Sequence, residues 1–388
     1  MAARAGARTG GRVGGRDIAV IQDTSEIMVG GVAAGRAGFG PIGKGGATRG
    51  VLVHAAIAVD SQGALLGLVD QQVWTRTGGA KQGDRTRGFA EKESYRWLAT
   101  CEAAACRLSQ ARSITLVADA ESDIYELFVK RPQAVHFLVR AARERRLANG
   151  QLLSHAIAGL AVSGAITRVI PASPGRKERL AKLEVRFGRV TFKAPADLPV
   201  ATPQTLGLSV LDVRETAAPE GVTPVHWLLL TSHAIGDIGR AGEIIDLYRG
   251  RFLIEQVFRT LKSAGFDIEE AEIENPQAFM TFTGLAVIAA ISVMQLVKAR
   301  GGGSGQVHED GFDATDKPLL AALSRKLEGK TEKQKNPHPP DDLAFAAWVI
   351  ARLGGWTGYY GKPGPAVMRY GLDRFHAIKL GAEIAKDV

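Results

Sequence analysis

Ser113-Ile114-Thr115-Leu116-Val117-Ala118-Asp119 is an almost unbroken apolar run that closes on an aspartate. A run with no polar face suits a strand covered on both sides, and such strands belong to sheets flanked by helices. Upstream, residues 91–110 repeat apolar positions at helical spacing, with Trp97, Leu98, Cys101, Ala105 and Leu108 near one stripe. Downstream, residues 121–130 read as helix and 135–140 as strand. Earlier in the chain, residues 17–22 form a short apolar run that also closes on an aspartate, Asp23, ahead of a glycine-rich loop over 30–46. Residues 52–60 and 64–74 are β-like and joined by Ser61-Gln62-Gly63, which is hairpin chemistry. Three strands, a helix, a strand, a helix and a strand predict an α/β fold, a mixed sheet flanked by helices.

Beyond this core the pattern changes. Residues 165–170, 183–192, 206–213 and 226–230 are short β-rich pieces separated by Pro, Gly and Asp, which predicts a β-rich insertion over 150–235. Helices return at 238–264 and 276–299, while 301–305 and 326–342 read as linkers from their Gly, Lys and Pro content. The resulting division is a flexible basic tail (1–16), the first part of the core (17–149), the insertion (150–235), the second part of the core (236–300), and a linker with a helical C-terminal region (301–388). No internal repeat of solenoid period is present.

Lys and Arg outnumber Asp and Glu by 49 to 40, giving a formal charge of +9 and favouring a polyanionic partner. Cys101 and Cys106 are too few for a disulfide framework, and the scattered histidines form no transition-metal motif, so a reducing compartment is expected. The most apolar stretch, 284–297, is shorter than the ~20 residues a membrane span needs and reads as a buried core helix. No membrane partner is expected. Arg4, Arg8, Arg12 and Arg16 lie among glycines and alanines without the apolar segment of a signal peptide.

Tyr248, Arg251, Glu255, Arg259 and Lys262 are spaced 3, 4, 4 and 3 apart. On one helix they fall within an arc of roughly 80°. Leu247, Ile254, Val257, Phe258 and Leu261 occupy the adjacent face, so the helix can pack while presenting an aromatic, a carboxylate and three cations. An exposed face of ion pairs would look similar. A phosphodiester-cleaving site needs further carboxylates, and Asp23 and Asp119 each close an apolar strand. A lone aspartate there more often serves a turn or a helix cap. Three oxygen ligands with open positions suit Mg²⁺ or Mn²⁺, and two such ions can activate water and stabilise a leaving 3′ oxygen.

The chain resembles the IS4 family of bacterial insertion-sequence transposases, the group that includes the Tn5 transposase. The resemblance runs through Ile21-Gln22-Asp23-Thr24-Ser25, Arg49-Gly50-Val51-Leu52-Val53-His54, Leu66-Gly67-Leu68-Val69 and Lys92-Glu93-Ser94. It continues through Ala118-Asp119-Ala120-Glu121-Ser122-Asp123-Ile124 and Trp227-Leu228-Leu229-Leu230-Thr231-Ser232, and is most specific at Tyr248, Arg251, Glu255 and Lys262. It implies an RNase H-like catalytic core interrupted by the β insertion, with Asp23, Asp119 and Glu255 as catalytic ligands of two Mg²⁺ or Mn²⁺ ions. Tyr248, Arg251 and Lys262 would hold phosphates, and Arg140 and Arg259 match further DNA-contacting positions. Trp227 matches an aromatic that stacks on a flipped base. The implied chemistry is DDE-type cut-and-paste transposition: end nicking, hairpin formation and opening, and strand transfer. Double-stranded DNA is the implied partner, with cleavage in a synapsed homodimer joined through the C-terminal helices. The implied location is the bacterial cytoplasm, on the nucleoid when DNA is bound.

Two departures qualify that expectation. The family carries a helical DNA-binding domain before its first aspartate, whereas 22 residues precede Asp23 here, which predicts poor recognition of transposon ends. Phe252 stands where some relatives carry tryptophan. An alternative is a truncated, catalytically silent remnant that binds DNA or full-length partners without cleaving. A structure-specific nuclease on the same fold explains the carboxylates but not Tyr248, Arg251 and Lys262.

Overall fold

The strand expected at the decisive apolar run is present as β5 (Ser113–Ala118). The computed structural model describes residues 1–30, 35, 37–76, 88–171, 177–199, 201–303 and 305–387. The chain begins with α1 (Ala2–Gly10), β1 (Asp17–Met28), β2 (Gly40–Ile42), β3 (Thr48–Asp60) and β4 (Leu65–Trp74). Around β5 stand α2 (Tyr95–Arg107), α3 (Tyr125–Lys130) and β6 (Val135–Arg140). Then come α4 (Leu153–Ala158), β7 (Gly164–Ile170), β8 (Arg179–Lys193), β9 (Thr205–Glu215) and β10 (His226–Thr231). Helices finish the chain: α5 (Ile238–Arg249), α6 (Phe252–Lys262), α7 (Pro276–Ala299), α8 (Lys317–Leu327), α9 (Leu343–Leu353) and α10 (Pro365–Asp387). The architecture is mixed α/β. Part of the expected 30–46 loop, residues 31–34 and 36, lies outside the described residues, and the short strand β2 occupies part of the remainder.

Two compact units divide the chain. The first holds Met1–Gly83, Cys106–Arg112 and Phe252–Val388, and the second Asp84–Ala105 and Ser113–Arg251. In the first unit β3 pairs antiparallel with β1 on one edge and β4 on the other. The β3–β4 hairpin turns at Gly63, whose φ of +82° favours glycine, and Asp60 Oδ1 accepts the amides of Gln62 and Ala64. Against β4 lies α7. Its buried Gln295 donates through Nε2 to Leu66 O on the edge of β4 (2.9 Å) and to Asp310 O (2.8 Å), so one side chain joins the helix, the strand edge and the turn at residue 310. Helix α7 is long and apolar enough to cross a membrane, and half of its most apolar window is buried inside the protein.

The C-terminal residues are not a separate body. Val293, Leu296, Phe312, Leu343, Trp348, Ile350, Met368 and Phe375 form one buried cluster that joins α7 to α9 and α10, within the first unit. The division expected at residue 300 therefore cuts through a shared core, because the apolar faces of α9 and α10 find their cover on α7.

The N-terminal segment is also not a flexible tail. Residues 2–10 form α1, which packs on β4. A Cβ on Gly6 would come within 2.5 Å of Val69 O, so the small residues that suggest a loop are what allows backbone-to-backbone approach. Buried Thr9 donates to Leu68 O at 2.6 Å, and Arg12 donates to Leu66 O at 2.9 Å. Arg16 pairs with Asp310 at 3.2 Å. Two of the four arginines of the expected basic tail are thus tied into the fold.

In the second unit the strands are ordered β5-β6-β10-β9-β8-β7. Strands β5 and β6 are parallel, with Ala118 beside Val139, and the remaining neighbours are antiparallel. Helix α5 lies on this sheet through Ala241, Ile244, Ile245 and Tyr248. The strands expected within the insertion continue the sheet outward from β6.

Close helix packing gives a direct test. A Cβ on Gly371 of α10 would meet Ile350 O of α9 at 1.9 Å, whereas one on Gly381 meets nothing within 4 Å. Gly371→Val is expected to cost roughly 1–3 kcal/mol by overpacking and to lower the thermal midpoint, whereas Gly381→Ala, with open space and better helix propensity, is expected to leave it level or raise it slightly. Thermal denaturation of the two variants beside the parent measures this.

Candidate functional site

Parallel pairing fixes the end of the second unit's sheet where charge gathers. Since Ala118 is paired with Val139, the next residues, Asp119 and Arg140, emerge side by side at the carboxyl ends of β5 and β6. Ligand sites in α/β sheets form outside such ends. Asp119 is half-buried, and its Oδ1 accepts the Glu121 amide at 2.9 Å while its own carbonyl accepts from Ser122 Oγ at 2.7 Å. These bonds cap a single turn of 3₁₀ helix and orient the carboxylate. Arg140 is exposed and reaches His226 O at 3.3 Å.

Strand β10 runs antiparallel to β6 with Leu229 opposite Arg140, which brings Trp227 towards the same end. The Trp227 and Tyr248 rings meet edge to face at 5.8 Å. Tyr248 is 6% exposed. Burial raises its phenol pKa; Arg251 and Arg140 pull the other way, Asp119 adds to the rise, and Arg251 hydrogen-bonds the phenol. The second unit therefore brings together Asp119, Arg140, Trp227, Tyr248 and Arg251.

The first unit holds the other candidates. Asp23 does not close its strand: β1 continues to Met28, and Asp23 sits at mid-strand opposite Ala55. What changes there is burial, from the fully covered residues 18–22 to half-exposed residues 23–26. The polar residues after Asp23 suggest a strand end, yet β1 keeps its pairing with β3 through Met28. Asp23 Oδ1 accepts the Thr24 amide at 2.8 Å. On the alternate residues, buried His54 joins Gln22 (Nε2 to Oε1, 3.0 Å) and Thr24 (Nδ1 to Oγ1, 2.9 Å), and a ring protonated on Nε2 satisfies both. These flanking bonds hold the backbone on either side of Asp23.

Glu255, in the first turn of α6, is half-buried, Arg259 is exposed and Lys262 half-buried. Helix α6 packs on β1 through an apolar face of Leu253, Ile254, Val257, Phe258 and Leu261. Lys262 lies 3.9 Å from Glu269, whose Oε1 also accepts the Met28 amide at 2.9 Å. Glu269 thus ties the lysine to the end of the strand that carries Asp23.

The single helix expected over 238–264 is two. Helix α5 stops at Arg249, the Gly250 amide bonds Asp246 O, and Arg251 N turns back to Tyr248 O at 3.0 Å before α6 begins at Phe252. Glycine weakens the helix here, and the unit boundary falls at the same place. The shared arc expected for Tyr248, Arg251 and Glu255 required one continuous helix and does not carry across; Glu255, Arg259 and Lys262 alone share α6. Asp119 belongs to one unit, and Asp23 and Glu255 to the other. Among the described residues, no three His, Cys, Asp or Glu side chains cluster as a metal site.

Sequence reasoning passed over Gln22, His54, Asp123, Arg145 and Glu269. Asp123 stood in a quoted motif and His54 ended another, but neither the β1–β3 register nor a contact 22 residues away is visible in one sequence. A stacked pair, His136 and His233, was likewise unforeseen (4.1 Å between rings). Desolvation first, then nearby cations, lowers both pKa values, that of His233 to about 4, with His136 adding to the shift at His233. The folded state then binds fewer protons than the unfolded chain between pH about 6.5 and about 4. Stability is therefore present above that window and declines as pH falls through it. Urea midpoints are expected to fall between pH 7 and pH 5, and the fall is expected to be smaller in His233→Gln.

A family model described as "Transposase DDE domain" matches residues 33–291, about two-thirds of the chain, and the chain belongs to that family. The match includes Asp119 and Glu255 and begins after Asp23. Among solved structures, the chain is similar to the NurA nuclease from Sulfolobus solfataricus at 8% identity. That superposition covers 70% of this chain and 78% of the other with a TM-score of 0.30. Membership makes the chain a transposase nuclease acting on DNA, in a class that uses divalent metals.

Proposed function

We propose that this chain is an IS4-type cut-and-paste transposase with an RNase H-like core, in which Asp23, Asp119 and Glu255 form the catalytic triad. The observation that carries the reading is the gathering of Asp119, Arg140, Trp227, Tyr248 and Arg251 at the carboxyl end of the β5–β6 pair. A carboxylate framed by guanidiniums and aromatics suits a phosphodiester beside exposed bases. Antiparallel β1, β3 and β4 and parallel β5 and β6 are consistent with the RNase H type.

The donor set is three half-buried carboxylates, two of them oriented by backbone amides, and it fits hard divalent ions such as Mg²⁺ or Mn²⁺. Such ions, two in this reading, supply an activated water and charge neutralisation at the leaving 3′ oxygen. Tyr248, Arg251 and Lys262 hold phosphates near the scissile bond, Arg140 and Arg259 add further DNA contacts, and Trp227 stacks on a displaced base. End nicking, hairpin formation and opening, and strand transfer are all in-line substitutions at phosphorus, which one set of residues can serve in turn.

Action as a homodimer is part of the reading. Beyond Phe375, α10 exposes Leu380 and Ile384, one turn apart on the same face, an apolar pair that a second copy can cover. The site of action is the bacterial cytoplasm, on the nucleoid.

Excision from a donor plasmid carrying the element's own ends tests this function. The parent is expected to excise in Mg²⁺ and Mn²⁺. Asp23→Asn, Asp119→Asn and Glu255→Gln are each expected to lower excision more than about 100-fold, the upper cost of losing a residue that only supports a metal ligand. Full activity in any of the three variants removes that residue from the triad.

A further inference from the structure

Asp123, four residues beyond Asp119, is fully buried and ionically paired with Arg145, which is 8% exposed. Its Oδ2 accepts two successive backbone amides, Ala142 N at 2.9 Å and Arg143 N at 3.0 Å. Arg145 Nε donates to Asp123 Oδ1 at 3.2 Å, and Nη2 donates to Oδ1 and, at 3.0 Å, to the Asp123 carbonyl. The guanidinium lies over the rings of Phe128 (5.8 Å) and Phe192 (5.4 Å). Glu144 secures the next link, accepting the amides of Arg145 and Ser154. Lys193 N then donates to Arg146 O at 2.9 Å.

A buried ion pair is not an efficient source of stability, since an apolar pair of similar volume often serves as well. An apolar pair cannot grip two consecutive amides. The distinctive product of Asp123 and Arg145 is therefore the shape of residues 140–146, which leave the β6 end beside Asp119 and carry three exposed arginines, Arg140, Arg143 and Arg146. Lysines or arginines on a loose loop would lose conformational entropy on meeting a polyanion; on this segment the backbone is already fixed.

We propose that Asp123 and Arg145 are positioning residues that preset the 140–146 segment as a contact for the sugar–phosphate backbone of duplex DNA, with Arg143 and Arg146 as phosphate ligands additional to Arg140. The inference rests on the transposase reading and names a further part of its DNA surface. Contacts of this kind hold the duplex in register and carry no sequence preference of their own.

The test is fluorescence anisotropy of a labelled duplex titrated with the full chain across a range of KCl concentrations. Arg143→Ala and Arg146→Ala are each expected to weaken binding equally on unrelated sequences and to reduce the slope of log K against log salt by about 0.9. Asp123→Leu combined with Arg145→Met is expected to fold, by thermal denaturation and circular dichroism, yet to bind the duplex more weakly than the parent at every KCl concentration, since its arginines remain but must be ordered on binding. An unchanged slope in the arginine variants overturns the phosphate assignment, and an unchanged affinity in the folded Leu/Met variant overturns the positioning role. If Leu/Met does not fold, Asp123→Asn with the same readout decides the positioning role. A folded parent that binds no duplex sinks the DNA reading itself, a result distinct from the other two.

Discussion

The parallel pairing of β5 with β6, with Ala118 beside Val139, is the constraint on which the second unit's chemistry depends. It converts two unrelated strand ends into neighbouring positions for an acid and a guanidinium. Everything else at that edge is placed relative to it: β10 adds Trp227 through its register with β6, α5 lays Tyr248 over the tryptophan, and Asp123 fastens the chain leaving β6. A one-residue slip would turn each of these side chains to the other face. Because β5 is apolar on both faces, what resists such a slip is the polar residue at its end, since a shift would carry Asp119 away from the amide it caps and into the covered sheet.

The first unit solves a different problem, that of holding a carboxylate in the middle of a strand. Asp23 sits where β1 passes from complete to partial burial, flanked by residues that spend their polarity on His54. Helix α6 covers β1 with one apolar face, leaving Glu255 and Lys262 half-exposed. Buried glutamines on α7 and on the loop beyond it bond strand-edge carbonyls of β4, so that the most apolar helix of the chain still carries specific polar contacts. Such satisfied buried groups specify one arrangement of helix on sheet more sharply than apolar contact alone.

Much of this was legible in the sequence wherever local pattern and tertiary setting agree. The β6 strand begins and ends as its apolar run indicates, α7 spans 276–299 as read, and the mixed α/β character follows from element order. The failures share a cause. In α1, glycine and alanine suggest a loop because their use in close packing against β4 depends on a strand 60 residues away. The polar residues after Asp23 suggest a strand end because the pairing that sustains them comes from β3. At Gly250 periodicity continues through a break, since residues on both sides remain amphipathic in their own units. Asp123 escaped notice because a buried carboxylate and a surface one look alike until Arg145 is beside it.

The catalytic proposal names Asp23, Asp119 and Glu255 as the residues that would hold a divalent metal. Metal-directed cleavage of the chain tests it most directly: Fe²⁺ is loaded in place of Mg²⁺, hydroxyl radicals are generated with ascorbate and peroxide, and the cut positions are mapped by mass spectrometry. Cuts beside Asp23, Asp119 and Glu255 together, suppressed by excess Mg²⁺, are the predicted result. Cuts that spare any of the three residues, or none that Mg²⁺ suppresses, would contradict the proposal.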